Sequence, residues 1–357
     1  MDNTIQQNKE AIRNHRTDER YWSREVQKMV IDKNTLPIMG SSELVPLEDY
    51  NRNISNFLNS EDMNVITIGT GHFQSLHHIM GLGAISDAIA SKKVALFLSP
   101  QWFVPEGVLK EVFPSRFSED LLLGFLDNEN ISETNKQYVL DRTLELLSES
   151  PTQYGRVEQY KKGFENPWGT NGIYMKIMDG FWKIRAKYQV YKQIDDMQLS
   201  LPKADLENMN YEELLKLAQE QGEKACTNNE FGVYDEYWNT YVKEVYEEGP
   251  VEKEKQIYTD SPEYEDLRCF LNVAEELGLE VILVSIPVNE LWSDYQGERC
   301  DVYYENIRKI AGEYNCVNLL DMTEFGDEKY FFKDVMHLGW KGWARINEAL
   351  YREFKEK

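Results

Sequence analysis

The chain is poor in cysteine, in basic residues and in long apolar runs, and each shortage removes a class of function. Four cysteines, Cys226, Cys269, Cys300 and Cys316, are spread over 357 residues without a CxxC pair, which leaves no zinc ribbon and no thioredoxin-like motif. Lys and Arg number 39 against 62 Asp and Glu, for a formal charge of −23. With no Lys/Arg-rich stripe to neutralise phosphates, nucleic acid is not an expected partner. A local basic cleft on an acidic exterior remains compatible with that balance. No stretch reaches the ~18 apolar residues of a membrane span, and the polar start Met1-Asp2-Asn3-Thr4 carries no signal-peptide pattern. Only five histidines occur. What is plentiful is ordinary core material: 41% hydrophobic and 12% aromatic residues, enough for a folded domain of this length.

The apolar material falls into short runs that stop at small or polar residues. Leu36–Met39 ends at Gly40-Ser41-Ser42, Val65–Ile68 at Gly69-Thr70-Gly71, and Lys93–Leu98 at Ser99-Pro100-Gln101-Trp102-Phe103. Three strand-then-turn units in succession predict a parallel sheet with its turns on one edge. Between the second and third units, Gln74–Ala90 has helical spacing. From about 104 to 260 the chain turns to polar helices, expected over 119–126, 132–149, 172–194, 211–221 and 233–247. Strand character returns at 279–286, between helices expected over 262–277 and 301–314, and again at 317–320. A closing helix follows residue 339. Residues 1–34 read as a charged helical lead-in, and 47–58 as a short helix. The expected class is therefore α/β, a single domain over 35–357 with a helical insertion at about 104–260.

Ser41 or Ser42 is a candidate nucleophile, because a small-residue turn after a strand exposes a hydroxyl at the strand's C-terminal end. The plainer alternative is that both serines cap the next segment. Asp334-Val335-Met336-His337 shifts the balance. An Asp three residues before a His lets one loop present a base and the carboxylate that orients it. The glycines at 69 and 71 are not a dinucleotide fingerprint, since position 74 is Gln. His72, His77 and His78 lack acidic residues at ligand spacing, so helix packing or substrate contact is expected rather than a metal site. Trp102, Phe103, Trp340 and Trp343 flank the motifs, either as an apolar collar around the serine or as core.

Taken together, Gly40-Ser41-Ser42-Glu43-Leu44, Gly69-Thr70-Gly71-His72-Phe73-Gln74-Ser75, Ser99-Pro100-Gln101-Trp102-Phe103 and Asp334-Val335-Met336-His337 resemble the DltD family, the D-alanyl transfer proteins of Gram-positive bacteria, related to the SGNH hydrolases. The resemblance implies a three-layer SGNH-like fold with a mostly parallel central sheet and a large helical insertion. It also implies a nucleophile at Ser42, an orienting acid at Asp334 and a general base at His337. Gly71, Gly69 and Gln101 would contribute to an oxyanion and substrate site that also includes Ser41 and Trp102. Ser41 stands where ordinary SGNH hydrolases carry Asp, and Gln101 where they carry Asn; both departures match DltD. No cofactor is implied. The implied activity is D-alanylation of lipoteichoic acid through a D-alanyl-serine, with the donor coming from the carrier system and with the membrane O-acyltransferase DltB as partner. Alternatives are an SGNH-type serine esterase or thioesterase, and a non-catalytic teichoic-acid-binding module. The family carries an N-terminal membrane helix that these residues lack, so residues 1–34 are expected to follow such an anchor, with the domain on the extracellular face of the cell membrane.

Overall fold

A computed structural model describes residues 1–14, 22–44, 54–197, 203–250, 258–297 and 300–355. His15 and the first part of the helix expected over 47–58 lie outside them; Ile54–Phe57 is helical. Five strands form one sheet: β1 Thr35–Met39, β2 Asn64–Ile68, β3 Lys93–Leu98, β4 Glu280–Ser285 and β5 Val317–Asp321. Their order is β2-β1-β3-β4-β5, and every pair is parallel. Among the described residues, the helices of seven or more residues are α1 Arg24–Val30, α2 Ser75–Ile85, α3 Glu119–Asp127, α4 Glu133–Leu146, α5 Pro151–Glu165, α6 Thr170–Gln193, α7 Tyr211–Ala225, α8 Glu263–Glu276, α9 Glu290–Gln296, α10 Asp301–Gly312 and α11 Trp340–Lys355.

The strands are apolar on both faces because each face has its own helical layer to bury. Val94, Leu96 and Leu98 of β3 and Val281 and Leu283 of β4 join a core with Leu76, Ile79 and Leu82 of α2 and Phe270 of α8. The alternate residues Ala95, Phe97, Ile282 and Val284 join a second core with Leu36 and Ile38 of β1 and with Trp343, Ile346 and Leu350 of α11. This three-layer α/β arrangement is the one expected from the sequence. The connection from β3 to β4 carries α3 to α8. The helix expected over 233–247 is broken: a short helix Asp235–Tyr237 runs through a π-helical stretch, Trp238–Val242, into Lys243–Glu248.

Chain order reverses between β1 and β3, since the connection from β1 leads outward to β2 while β3 returns to the other side of β1. Parallel sheets leave a crevice at such a reversal, beyond the strands' C-terminal ends. Gly40-Ser41-Ser42 and Pro100-Gln101-Trp102 leave the two strands that border it.

Of the four aromatics for which a collar around the serine and a place in the core were both open, two belong to the core. Phe103 is buried against Tyr264 and Tyr303 at centroid distances of 4.9 and 4.8 Å. Trp343 packs on Phe97 beneath the sheet. Each has its own cause: Phe103 directly follows Trp102, and successive side chains of a turn leave in different directions, while Trp343 lies on the face of α11 that also carries Ile346 and Leu350 into the core. Trp102 and Trp340 stay half-buried. Trp343→Ala should therefore cost about 3–5 kcal/mol, as large core truncations do, and Trp102→Ala much less, as read by chemical denaturation. Equal costs would return Trp343 to the rim.

Candidate active site

Ser42 opens a 3₁₀ turn, Ser42–Leu44, three residues beyond the end of β1. Its Oγ lies 3.1 Å from Nε2 of His337. The other ring nitrogen, Nδ1, is 3.0 Å from Oδ2 and 3.2 Å from Oδ1 of Asp334. Hydroxyl, imidazole and carboxylate thus form one hydrogen-bonded chain. Such a chain can pass the serine proton to Nε2 while the carboxylate stabilises the imidazolium and fixes its tautomer.

Asp334 is 2% exposed, and burial alone would raise its pKa. The hydrogen bond and charge of His337, with the N–H groups of His337 and Met336 donating to Oδ1 at 2.7 and 2.9 Å, more than reverse that effect. The carboxyl is held below its ordinary value and stays ionised. Its loop is tied to the end of β4 by Asn289, which sequence reading passed over as a strand-end residue. The Asn289 side-chain amide donates to the carbonyls of Asp334 and Phe231, at 3.2 and 3.0 Å.

Ser41 faces elsewhere. It is 1% exposed, and its hydroxyl donates to the carbonyl of Thr70 at 3.4 Å, tying the turn after β1 to the turn after β2. Gly69 has a different duty from Gly71. At φ +147° a Cβ on Gly69 would sit 1.8 Å from the Gly40 carbonyl oxygen, so only glycine lets the two turns lie this close. A Cβ on Gly71 would meet nothing within 4 Å. Gln101 and Trp102 occupy the 3₁₀ turn after β3, half-buried. His72 packs on Trp102 at a centroid distance of 5.4 Å. Among the described residues no hydrogen bond joins Gln101 to the Ser42–His337 pair.

His77 and His78 support this rim from below. His77 accepts the Gln74 N–H at 3.2 Å and stacks on Phe73, closing the first turn of α2. His78 Nε2 is 3.1 Å from the carbonyl oxygen of Gly40. Both rings are fully buried, which drives their pKa values down to about 3 and keeps them neutral. The packing alternative is the one realised for these two.

Glu43 is the buried neighbour that sequence reading did not weigh. Its Oε1 accepts the Ser41 N–H at 2.5 Å, and among the described residues Oε2 has no hydrogen-bond partner. Burial raises its pKa against the opposing backbone hydrogen bonds and His337. The only hint in the sequence was an acidic residue directly after a serine turn.

The chain matches a protein-family model described as DltD protein over residues 14–355. It is similar to Protein DltD of Staphylococcus aureus, 27% identical over 361 residues that cover 99% of this chain and 88% of that protein. It is likewise similar to Protein DltD of Bacillus subtilis, 28% identical over 351 residues, 92% of this chain and 84% of that one. For Protein DltD of Lacticaseibacillus rhamnosus the identity is 26% over 348 residues, covering 91% and 78%.

Two predictions arise from this geometry. A fluorophosphonate should label Ser42 and leave Ser41 unmodified, as read by peptide mass mapping; a label on Ser41 would reverse the assignment. For Glu43, a pKa raised on folding means that the native state holds the extra proton, so this residue's contribution to stability is lost as pH rises through the raised value. Glu43→Gln keeps an acceptor for the Ser41 N–H and should flatten that part of the stability–pH curve. An unchanged curve would show that Glu43 is charged throughout.

Proposed function

Because the chain belongs to the DltD family, whose members take part in the D-alanylation of teichoic acid, we propose that it is an acyltransferase carrying D-alanine on Ser42. The observation that carries this reading is the Ser42–His337–Asp334 hydrogen-bonded chain at the crevice between β1 and β3.

In the first half-reaction His337 Nε2 takes the proton from Ser42 Oγ as the oxygen bonds to the carbonyl carbon of an activated D-alanyl group. The tetrahedral oxyanion is received by the backbone N–H groups of Ser42 and Gly71, with the Gln101 amide beside them. On collapse, the bond to the carrier breaks and the leaving group departs with the proton from His337. In the second half, a hydroxyl of the polymer gives its proton to His337 and attacks the acyl carbon. The Ser42–acyl bond breaks and Oγ recovers the proton. Asp334 stays ionised throughout and holds the imidazole.

The acceptor in this reading is lipoteichoic acid, the donor comes from the carrier system, and the membrane protein DltB is the partner, with the domain on the outer face of the cell membrane. Lining up the polymer hydroxyl with the acyl carbon can supply roughly 7–11 kcal/mol at best, and this is what would favour a bound hydroxyl over water.

The test is transfer of labelled D-alanine to a glycerol-phosphate polymer by membranes carrying the protein and its pathway partners. Ser42→Ala should abolish transfer. Asp334→Asn should lower the rate by about 10⁴, the scale seen when a triad acid is neutralised, with the fold intact by circular dichroism. Full transfer by Ser42→Ala would make the chain a binding module. Release of free D-alanine with none on the polymer would make it an esterase.

A further inference from the structure

Helix α6 is apolar on two opposite faces, and among the described residues only one of them is covered. Its inner face packs Met175, Met178, Trp182, Ala186 and Val190 into the main core. The outer face shows solvent Ile173, Ile177, Phe181, Ile184, Tyr188 and Tyr191, between 46% and 66% exposed. Their spacing of four, four, three, four and three residues puts all six on one stripe, about 27 Å long at 1.5 Å per residue. Trp168, 88% exposed, stands just before the helix begins. Single exposed apolar side chains are ordinary on a protein surface. A continuous stripe of this length marks a contact surface.

The charge pattern selects the partner. In a chain of net −23, residues Thr170–Gln193 hold five cations, Lys176, Lys183, Arg185, Lys187 and Lys192, and one anion, Asp179. Lys183 is paired with Asp179, and Lys187 with Asp2 and Glu25. The exposed Lys176, Arg185 and Lys192 have no carboxylate within 4.0 Å among the described residues. Instead they lie against the rings of Trp168, Trp182 and Tyr188, at 5.0, 5.0 and 5.3 Å from the centroids. Apolar side chains flanked by cations and interfacial aromatics are the composition of a helix that lies in the headgroup region of a bilayer. A second copy of this chain would bring the same cations against themselves, and elsewhere on the described surface the exposed large apolar side chains, Tyr154, Leu217, Tyr241 and Val302 among them, stand singly and form no matching stripe.

We propose that the outer face of α6 is a docking surface for an anionic lipid bilayer, with the helix parallel to the membrane plane and Ile177, Phe181 and Ile184 inserted at its centre. This contact is separate from the Ser42 chemistry and from any anchor that precedes the chain.

Co-sedimentation of the 357-residue chain with phosphatidylcholine vesicles, with and without about 30% phosphatidylglycerol to give a strongly negative surface, tests it. Binding should occur to the anionic vesicles and weaken with salt. The substitutions Ile177→Ser, Phe181→Ser and Ile184→Ser together should reduce binding at least about tenfold, the equivalent of some 1.4 kcal/mol. Lys176→Gln, Arg185→Gln and Lys192→Gln should remove most of the preference for anionic lipid. Both variants should keep the wild-type melting temperature and fluorophosphonate labelling of Ser42, because these positions face solvent. Failure to bind anionic vesicles, or undiminished binding by the apolar variant, would overturn the proposal. So would a dimer in analytical ultracentrifugation that the apolar variant dissolves in the absence of lipid.

Discussion

The hydrogen bond between Ser42 Oγ and His337 Nε2 joins positions 295 residues apart, and most of the architecture serves to keep those two atoms 3.1 Å from each other. One partner hangs from the first strand and the other from the loop before the last helix. Neither can drift without moving the sheet, because β1 lies near its centre and α11 is packed beneath it through Trp343, Ile346 and Leu350. A parallel sheet suits this arrangement because all its strands end at the same rim, so residues from distant parts of the chain converge without long excursions.

The turn under Ser42 is over-determined. Gly69 approaches the Gly40 backbone closely, His78 contacts the Gly40 carbonyl, Ser41 bonds to Thr70, and Glu43 takes the Ser41 N–H. The contacts come from several different short segments. The result is a turn whose backbone is pinned just before Ser42 by buried polar groups, the kind of support that a reacting atom needs to be held to within a fraction of an ångström. The Asp334 loop is supported in the same manner by Asn289 and by its own N–H groups.

Much of this was legible beforehand. The short apolar runs that stop at small or polar residues pointed to a parallel sheet with its turns on one edge, the resemblance added the helical layers on its faces, and the Gly-Ser-Ser stop after β1 pointed to an exposed hydroxyl. Asp334 and His337 could be paired because three residues separate them. The choice between Ser41 and Ser42 was harder from the residues alone, since it depends on which way each side chain leaves a turn: the Ser41 hydroxyl goes to the carbonyl of Thr70 and the Ser42 hydroxyl to His337. Glu43 and Asn289 were passed over for a related reason: their importance lies in contacts that no pattern of residue types reveals. Of the two alternatives for the aromatics, core is realised at Phe103, one residue past Trp102, and at Trp343, which α11 turns toward the sheet together with Ile346 and Leu350. The outer stripe of α6 was hidden because periodicity reveals that a helix has an apolar face and is silent on whether anything covers it.

The central claim is that Ser42 carries the acyl group, and trapping that intermediate tests it most directly. The protein would be quenched with acid after brief exposure to its D-alanyl donor in membranes, digested and mapped by mass. One alanyl increment is expected on the peptide containing Ser42; it should disappear when acceptor polymer is added and be absent from the Ser42→Ala protein. An unmodified Ser42 peptide under conditions where the polymer becomes alanylated would contradict it.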